Sequence, residues 1–200
     1  LPNSYINQLF EDIEGNIWLG YQYFGVIKWN NGIQKHLIHE DGLAGNTVWS
    51  INQDKDGNML FGTDRGLSIY DGNKFNNLDY SDGLGNGAIR SIEVDGKNIW
   101  LGCNYPVGTL TLFNGTAIKN FDIPQASRMG MNIKSIKKAE DGKIWFADQY
   151  EGLFSYDGQN FTNYTVMDGL PNNNINDIYI ENANSIWVST QSGVAVFNGE

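Results

Sequence analysis

The chain has 200 residues, a formal net charge of −10 at pH 7 and a pI near 4.5. An acidic chain without a basic cluster argues against binding to nucleic acid or to an anionic membrane surface, because both attract basic patches. No apolar run reaches the roughly 18 residues of a membrane span, so no membrane insertion is predicted within this segment. The single cysteine, Cys103, excludes an internal disulfide.

One unit recurs nearly five times along the chain. Its clearest mark is an acidic residue and a glycine, followed by a pair of the isoleucine-tryptophan type. The second residue of that pair is, in successive copies, Trp18, Leu60, Trp100, Trp145 and Trp187, at intervals of 40 to 45 residues. A fixed period in this range is typical of solenoids, propellers and other repeat arrays. Function is then expected on a surface that several copies share.

The second copy shows the unit in full. Alternating, β-branched and apolar stretches predict four strands, a to d, at residues 46–52, 59–62, 67–70 and 74–80. Asp56-Gly57-Asn58 and Asp71-Gly72-Asn73 predict the a–b and c–d turns, since Asp and Asn can bond their own backbone there. Asp82-Gly83-Leu84 leads into the next copy. Four short antiparallel strands per unit are typical of a propeller blade.

We therefore predict an all-β fold, a β-propeller-like array of about five four-stranded antiparallel blades with the last one incomplete. The predicted blades of this single repeat array, residues 1–200, are approximately 5–46, 47–87, 88–131, 132–173 and 174–200. Leu1-Pro2-Asn3 matches Leu170-Pro171-Asn172 between two blades, and the fifth copy stops before strand d. We thus expect a piece of a longer repeat protein, and an unpaired blade edge would invite self-association.

Large aromatic side chains recur at equivalent places in the blades. They are Trp18, Trp100, Trp145 and Trp187 in strand b, and Tyr70, Phe113, Tyr156 and Phe197 in strand c. Sheets that pack face to face need large side chains between them. These residues are therefore predicted to form the core between blades.

Four spaced elements recur in a fixed order, and together they resemble the two-component regulator propeller repeat. They are Asp56-Gly57-Asn58, residues 62–72, residues 75–80 and Asp168-Gly169-Leu170-Pro171-Asn172. The resemblance implies the extracytoplasmic sensor of a bacterial hybrid histidine kinase, in a periplasmic or extracellular location. Such sensors in gut bacteria often respond to glycan fragments. The family has no shared catalytic residues, so the resemblance implies none here.

The b–c loops and the d–a linkers should emerge on one face of the array, and this face varies between blades. Its loops carry aromatic rings beside amides and carboxylates, a combination suited to sugars, because rings cover C–H faces and amides bind hydroxyl groups. One position near the start of strand a also varies, and it is occupied by Asn7, Trp49, Arg90, Lys134 and Asn176. Two cations and a Trp near a central opening could hold an acidic ligand. The alternative is that these residues are simply a solvated rim.

The predicted binding partner is a small glycan or another small molecule. The candidate ligand-binding residues are Tyr21, Tyr23, Phe24, Trp49, Arg65, Arg90, Tyr105, Lys134 and Tyr150. No cofactor, metal site or catalytic set is predicted. His36 and His39 are placed on opposite faces of a strand d, which separates the only two histidines. A protein-interaction scaffold remains an alternative function, and a propeller lyase or glycosidase is a third.

Overall fold

The computed structural model describes residues 3–85, 87–104, 109–124 and 131–198, which form five antiparallel sheets in chain order. Four sheets have four strands each and the fifth has three. Within every sheet, strands adjacent in sequence are hydrogen-bonded neighbours. The described part of the chain contains no α-helix. The predicted all-β array of blades is confirmed, together with its incomplete last blade.

The strands of each sheet follow the order a, b, c, d. The first sheet contains β1 (Ile6–Glu11), β2 (Ile17–Tyr21), β3 (Val26–Asn30) and β4 (Ile33–Leu37). The second contains β5 (Val48–Gln53), β6 (Met59–Thr63), β7 (Gly66–Tyr70) and β8 (Phe75–Leu78). The third contains β9 (Ile89–Asp95), β10 (Asn98–Cys103), β11 (Leu110–Phe113) and β12 (Ile118–Phe121). The fourth contains β13 (Ile133–Lys138), β14 (Ile144–Asp148), β15 (Gly152–Tyr156) and β16 (Phe161–Tyr164). The fifth contains β17 (Ile175–Asn182), β18 (Ser185–Thr190) and β19 (Gly193–Phe197).

Strand d of the second blade is shorter than predicted, because a 3₁₀ turn at Tyr80–Asp82 follows it. The Asp79 carboxylate accepts a hydrogen bond from the backbone N–H of Ser81 (2.7 Å). In return, Asp82 accepts one from the backbone N–H of Asp79 (2.9 Å). Gly83 then ends the turn in the left-handed region, with φ of 99°.

The same turn occurs at His39–Asp41 and at Val166–Asp168. His39 therefore lies in a turn rather than in strand d, and its placement on the face of that strand opposite His36 was wrong. His36 does lie in β4, where one ring nitrogen is 2.7 Å from the Phe24 carbonyl oxygen. His39 lies in the turn because of local hydrogen bonds, and the alternation of residue types that predicts a strand does not show these bonds.

The core lies between consecutive sheets rather than within any one of them. Trp18 packs on Phe61 and Tyr70 of the second sheet. Exposed fractions of 2%, 6% and 3% for Trp18, Trp100 and Trp145 confirm the predicted inter-blade role for these three. Trp187 is 43% exposed, so the prediction was wrong for the fifth copy. Its face of the fifth sheet has no following sheet to cover it among the described residues.

Close approach of successive strands a depends on a small residue in strand b. A Cβ built on Gly62 would lie 2.2 Å from the Ser50 Oγ and 2.7 Å from the backbone oxygen of Ile89 in the next sheet. Both distances are shorter than real Cβ contacts, so the missing side chain of Gly62 lets the second and third sheets approach closely near their strands a. No helix in the described ranges is long and apolar enough to cross a bilayer.

Candidate ligand-binding site

The b–c loops and the d–a linkers lie on the same face, as the strand directions require. In every blade a backbone N–H of the b–c loop donates to a carbonyl just before strand a, at 2.9 to 3.1 Å. The five pairs, donor first, are Gln22 and Tyr5, Asp64 and Thr47, Asn104 and Ala88, Gln149 and Asn132, and Gln191 and Asn174. These hydrogen bonds therefore hold each variable b–c loop next to the start of strand a of its own blade.

Each strand a also carries a β-bulge at the same place. The register with strand b skips one residue in all five sheets. The skipped residues are Asn7, Trp49, Arg90, Lys134 and Asn176. A bulged residue has no partner in the neighbouring strand, and the local bend re-aims its side chain. The sequence singled out these five positions as variable, and the bulge gives the physical reason why they are free to vary.

The five bulge residues line one open cavity of about 360 Å³, which they share with residues that follow them in strand a. The expectation that these positions converge is confirmed. Lys137 and Asp177 line the same cavity and were not predicted. A one-residue bulge shifts the alternation of inward and outward side chains, so a simple period of two could not identify them.

Arg90 and Trp49 form the centre of one wall. The guanidinium carbon of Arg90 lies 3.7 Å from the centroid of the Trp49 ring, which is a close cation–π contact. Burial lowers the pKa of Arg90, and the nearby Tyr150 hydroxyl partly opposes this change. Arginine stays charged at such a site, because its pKa in water is above about 12. The Trp49 Nε1 is buried and has no hydrogen-bond partner among the described residues.

Lys134 places a second cation in the cavity. Burial lowers the pKa of Lys134, the positive charge of Arg90 lowers it further, and Asp148 raises it. Asp148 is fully buried and accepts backbone N–H bonds from Asn132 (2.6 Å), Tyr150 (2.7 Å) and Glu151 (2.8 Å). Its carboxylate therefore holds the loop that carries Tyr150. Burial raises the pKa of Asp148 despite these bonds.

Three further predicted residues do not reach this cavity. Tyr21 is fully buried against Ile27 and Phe24, so it packs within the first sheet and is removed from the candidate site. Phe24 stacks on His36 at 4.2 Å between ring centroids, towards the outer strand of its blade. Arg65 is exposed and lines a separate cavity with Tyr80.

The exposed aromatic residues remain candidates. Tyr23 is 77% exposed and Tyr150 is 61% exposed, both in b–c loops. Neither is among the residues that line the cavity, although the Tyr150 hydroxyl raises the pKa of Arg90. Tyr105 lies outside the described residues. Ligand binding by Tyr23, Trp49, Arg65, Arg90, Lys134 and Tyr150 stays a prediction.

Comparison with known proteins identifies the repeat. Residues 1–23, 42–65 and 169–192 match the family described as two component regulator propeller. These three segments are similar to that propeller repeat. A protein named histidine kinase P4 from Formosa agariphila is 24% identical over an alignment of 168 residues, and the match covers 77% of this chain and 12% of that protein. The chain thus spans only a small part of this relative.

Solved structures show the same fold at low sequence identity. The extracellular domain assigned to a hybrid two-component system of B. thetaiotaomicron matches with a TM-score of 0.74 and 23% identity. That match covers 90% of this chain and 25% of the other. Virginiamycin B lyase from Staphylococcus aureus, in a catalytically inactive form with quinupristin, matches with a TM-score of 0.73 and 16% identity, over 98% of this chain and 71% of the other. The fold of this chain is therefore shared with an extracellular domain of a two-component system and with an enzyme, and the fold alone does not separate the two functions.

Proposed function

We propose that this chain is the ligand-recognition part of a sensor in a hybrid two-component system, and that it binds a carbohydrate without turning it over. The propeller repeats and the histidine kinase relative support the sensor role. The solved relative is an extracellular domain, which supports a location outside the cytoplasmic membrane, in the periplasm or at the cell surface.

The cavity lined by the five bulge residues carries the proposal. The residues around it differ from blade to blade, whereas the turns on the opposite face repeat the acidic-Gly pattern. Loops and loop-like positions on a rigid scaffold are where binding residues concentrate. The amides of Asn7 and Asn176, the charged groups and the ring of Trp49 give a mixed polar and aromatic lining. Such a lining suits sugar hydroxyl groups and C–H faces.

A glycan panel tests this proposal directly. Thermal-shift screening of the purified chain should give stabilising ligands, and isothermal titration should confirm saturable binding of each hit. Chromatography of the same mixtures should show unchanged glycan after prolonged incubation. Trp49→Ala should weaken binding, whereas Ile13→Ala, at an exposed site on the a–b turn of the opposite face, should not. If any product is released, the protein is an enzyme, and the lyase or glycosidase alternative replaces the sensor proposal.

A second candidate function, assembly with other copies, is supported by one face and the edge strand of the fifth sheet, which no described residue covers. Tyr179, Trp187, Val194 and Val196 are exposed on that sheet, and β19 is its edge strand. Exposed apolar patches and unpaired edges favour association. Light scattering should then show a mass that rises with concentration and falls again in Val194→Lys. A constant monomer mass over a hundredfold range of concentration would rule this candidate out.

A further inference from the structure

The cavity of the bulge residues is positively charged in a chain that is strongly negative. Arg90, Lys134 and Lys137 line it, and Asp177 is the one carboxylate among its described lining residues. The chain as a whole carries a formal charge of −10. A local cluster of positive charges attracts a negatively charged ligand even when the protein as a whole is negative. This contrast sets the cavity apart from the rest of the described surface.

Arg90 is held in place without using its hydrogen-bonding capacity. Its cation–π contact with Trp49 holds the guanidinium carbon 3.7 Å from the ring centroid. Within the described ranges the guanidinium takes part in none of the four ion pairs and donates no hydrogen bond to protein. A planar fork of N–H donors that is already oriented loses little conformational entropy when it receives a carboxylate or a sulfate.

Lys134 is likewise free of an ion pair in the described part of the chain. Burial lowers the pKa of Lys134, the charge of Arg90 lowers it further, and Asp148 opposes both effects. An anion between the two side chains would relieve the repulsion and replace lost hydration. Neither cation is therefore explained by the stability of the empty cavity.

The carboxylates nearby are engaged elsewhere. The carboxylate oxygens of Asp148 accept hydrogen bonds from three backbone N–H groups. Asp177 accepts a hydrogen bond from the backbone N–H of Ile178 at 2.9 Å. Glu93 accepts one from the backbone N–H of Lys138 at 3.1 Å and is electrostatically coupled to Lys137. Lys137 thus has a neighbouring counter-charge in Glu93. Asp148 favours the charged form of Lys134, but its oxygens already accept three backbone N–H groups, so Arg90 and Lys134 are the pair whose N–H donors are left for a ligand.

We propose that the ligand of this cavity is an acidic sugar, whose carboxylate or sulfate group binds between Arg90 and Lys134. The inference rests on the proposed function, which it narrows from carbohydrates in general to uronic acids and sulfated sugars. Arg90 supplies the bidentate contact and Lys134 the second charge, while the amides of Asn7 and Asn176 in the same lining can bind the hydroxyl groups of the sugar. Asp177, in the same lining, disfavours a second anionic group near it.

Matched pairs of sugars test the proposal. Binding of digalacturonic acid against galactobiose, and of glucose 6-sulfate against glucose, is measured by titration calorimetry at one ionic strength. Inorganic sulfate serves as the anion without a sugar. One acidic member should bind at least tenfold more tightly than its neutral partner and than inorganic sulfate. Arg90→Gln and Lys134→Gln should each weaken that binding by about ten- to hundredfold, the usual range for a charged hydrogen bond.

Control variants separate binding from folding. Lys97→Gln removes a charge from an exposed a–b turn on the opposite face and should leave affinity unchanged. Arg90→Lys keeps the charge but loses the planar fork, so it should recover part of the affinity. The affinity of each variant is compared with that of the wild type only if their melting temperatures are equal, or after correction for the measured fraction of folded protein. If Arg90→Gln lowers stability, Lys134→Gln gives the test alone, since Lys134 makes no aromatic stack in the described structure.

The outcomes distinguish this inference from the proposed function. Neutral sugars that bind as tightly as acidic ones, with no effect of either substitution, would overturn the acidic-ligand inference and leave the carbohydrate sensor standing. Sulfate alone binding as tightly as its sugar ester would overturn the assignment to a sugar. A chain that binds no member of the panel, neutral or acidic, would overturn both. Charge-dependent binding of an acidic sugar that is lost in both variants supports both.

Discussion

Replacing Asp12 with Ala should be among the most destabilising changes to a polar residue in this chain. Asp12 is 7% exposed and lies at the a–b turn of the first blade. Its Oδ2 accepts a hydrogen bond from Trp18 Nε1 at 2.7 Å and another from Asn16 Nδ2 at 2.8 Å. Its Oδ1 accepts the backbone N–H groups of Glu14 (3.0 Å) and Asn16 (2.9 Å). The Asp12 carboxylate thus closes the turn and also accepts the hydrogen bond of the buried indole N–H of Trp18, which lies in the core between blades.

The magnitude follows from what Asp12→Ala leaves behind. The buried indole N–H of Trp18 and the buried backbone N–H of Asn16 lose their acceptor, and each buried unsatisfied group costs about 1–3 kcal/mol. We expect a loss of about 3–5 kcal/mol in the free energy of unfolding. At about 2–4 °C per kcal/mol for a domain of this size, the midpoint of thermal unfolding should fall by roughly 6–20 °C.

Asp54→Ala is the matched control. Asp54 closes the same turn in the second blade, with bonds from Asp56 N (2.9 Å), Asn58 N (2.8 Å) and Asn58 Nδ2 (2.8 Å). Its blade has Leu60 where the first has Trp18, so no indole depends on it. Urea denaturation followed by circular dichroism should show Asp12→Ala to be worse than Asp54→Ala by about 1–3 kcal/mol. Equal losses at the two positions would refute the role given to the indole bond.

The pH dependence gives an independent check on Asp12. Burial raises the pKa of its carboxyl, but the hydrogen bonds from Trp18, Asn16 and Glu14 outweigh it, so the pKa in the folded chain lies below 3.8. A depressed carboxyl pKa stabilises the fold above the unfolded pKa, and that contribution is lost as pH falls through the folded pKa. The difference in unfolding free energy between wild type and Asp12→Ala should therefore be constant from pH 7 to about 5 and shrink below about pH 4. A difference that does not change with pH would contradict this account.

Three further predictions concern packing. Trp145→Ala should lower the free energy of unfolding, measured by urea denaturation, by about 3–5 kcal/mol. Trp187→Ala, at the equivalent but half-exposed position, should lower it by no more than about 1–2 kcal/mol. Equal losses would contradict the exposure of Trp187 on the fifth sheet. Gly62→Ala should destabilise by about 1–3 kcal/mol, because its Cβ would meet Ser50 Oγ at 2.2 Å, and a neutral result would show that the sheets can separate. Cys103 is fully buried and burial raises the pKa of its thiol, so a thiol reagent at pH 8 should react with it only after unfolding, and fast reaction in the folded chain would be inconsistent with this burial.

The third blade shows how a turn that looks alike in sequence can differ in its contacts. Asp95-Gly96 reads as another acidic-Gly turn, but Asp95 pairs directly with Asn98, which shortens the connection. Trp100 Nε1 is then buried without a hydrogen-bond partner in the described residues. Trp18 Nε1, by contrast, has Asp12. The pattern predicts the turn, but the length of the loop decides whether a carboxylate reaches the indole.

Local chemistry determined the strands, the turns and the repeat. Alternation in residues 59–62 and 67–70 predicts β6 and β7 almost to the residue, since strand formation depends on neighbours two positions apart. The period of the repeat then predicts consecutive blades and most of the inter-blade core. Trp18, Trp100 and Trp145 confirm this, because each is followed by another sheet.

The candidate site depended on contacts between residues far apart in the chain, and only the tertiary structure decided it. The sequence marked Trp49, Arg90 and Lys134 as variable, but their convergence on one cavity follows from a bulge in each strand a and from the curvature of the array. The same loop composition that drew attention to Tyr21 could not show that packing against Ile27 buries it. Side-chain identity is a local property, whereas exposure and proximity arise from packing between blades about forty residues apart, which no local pattern encodes.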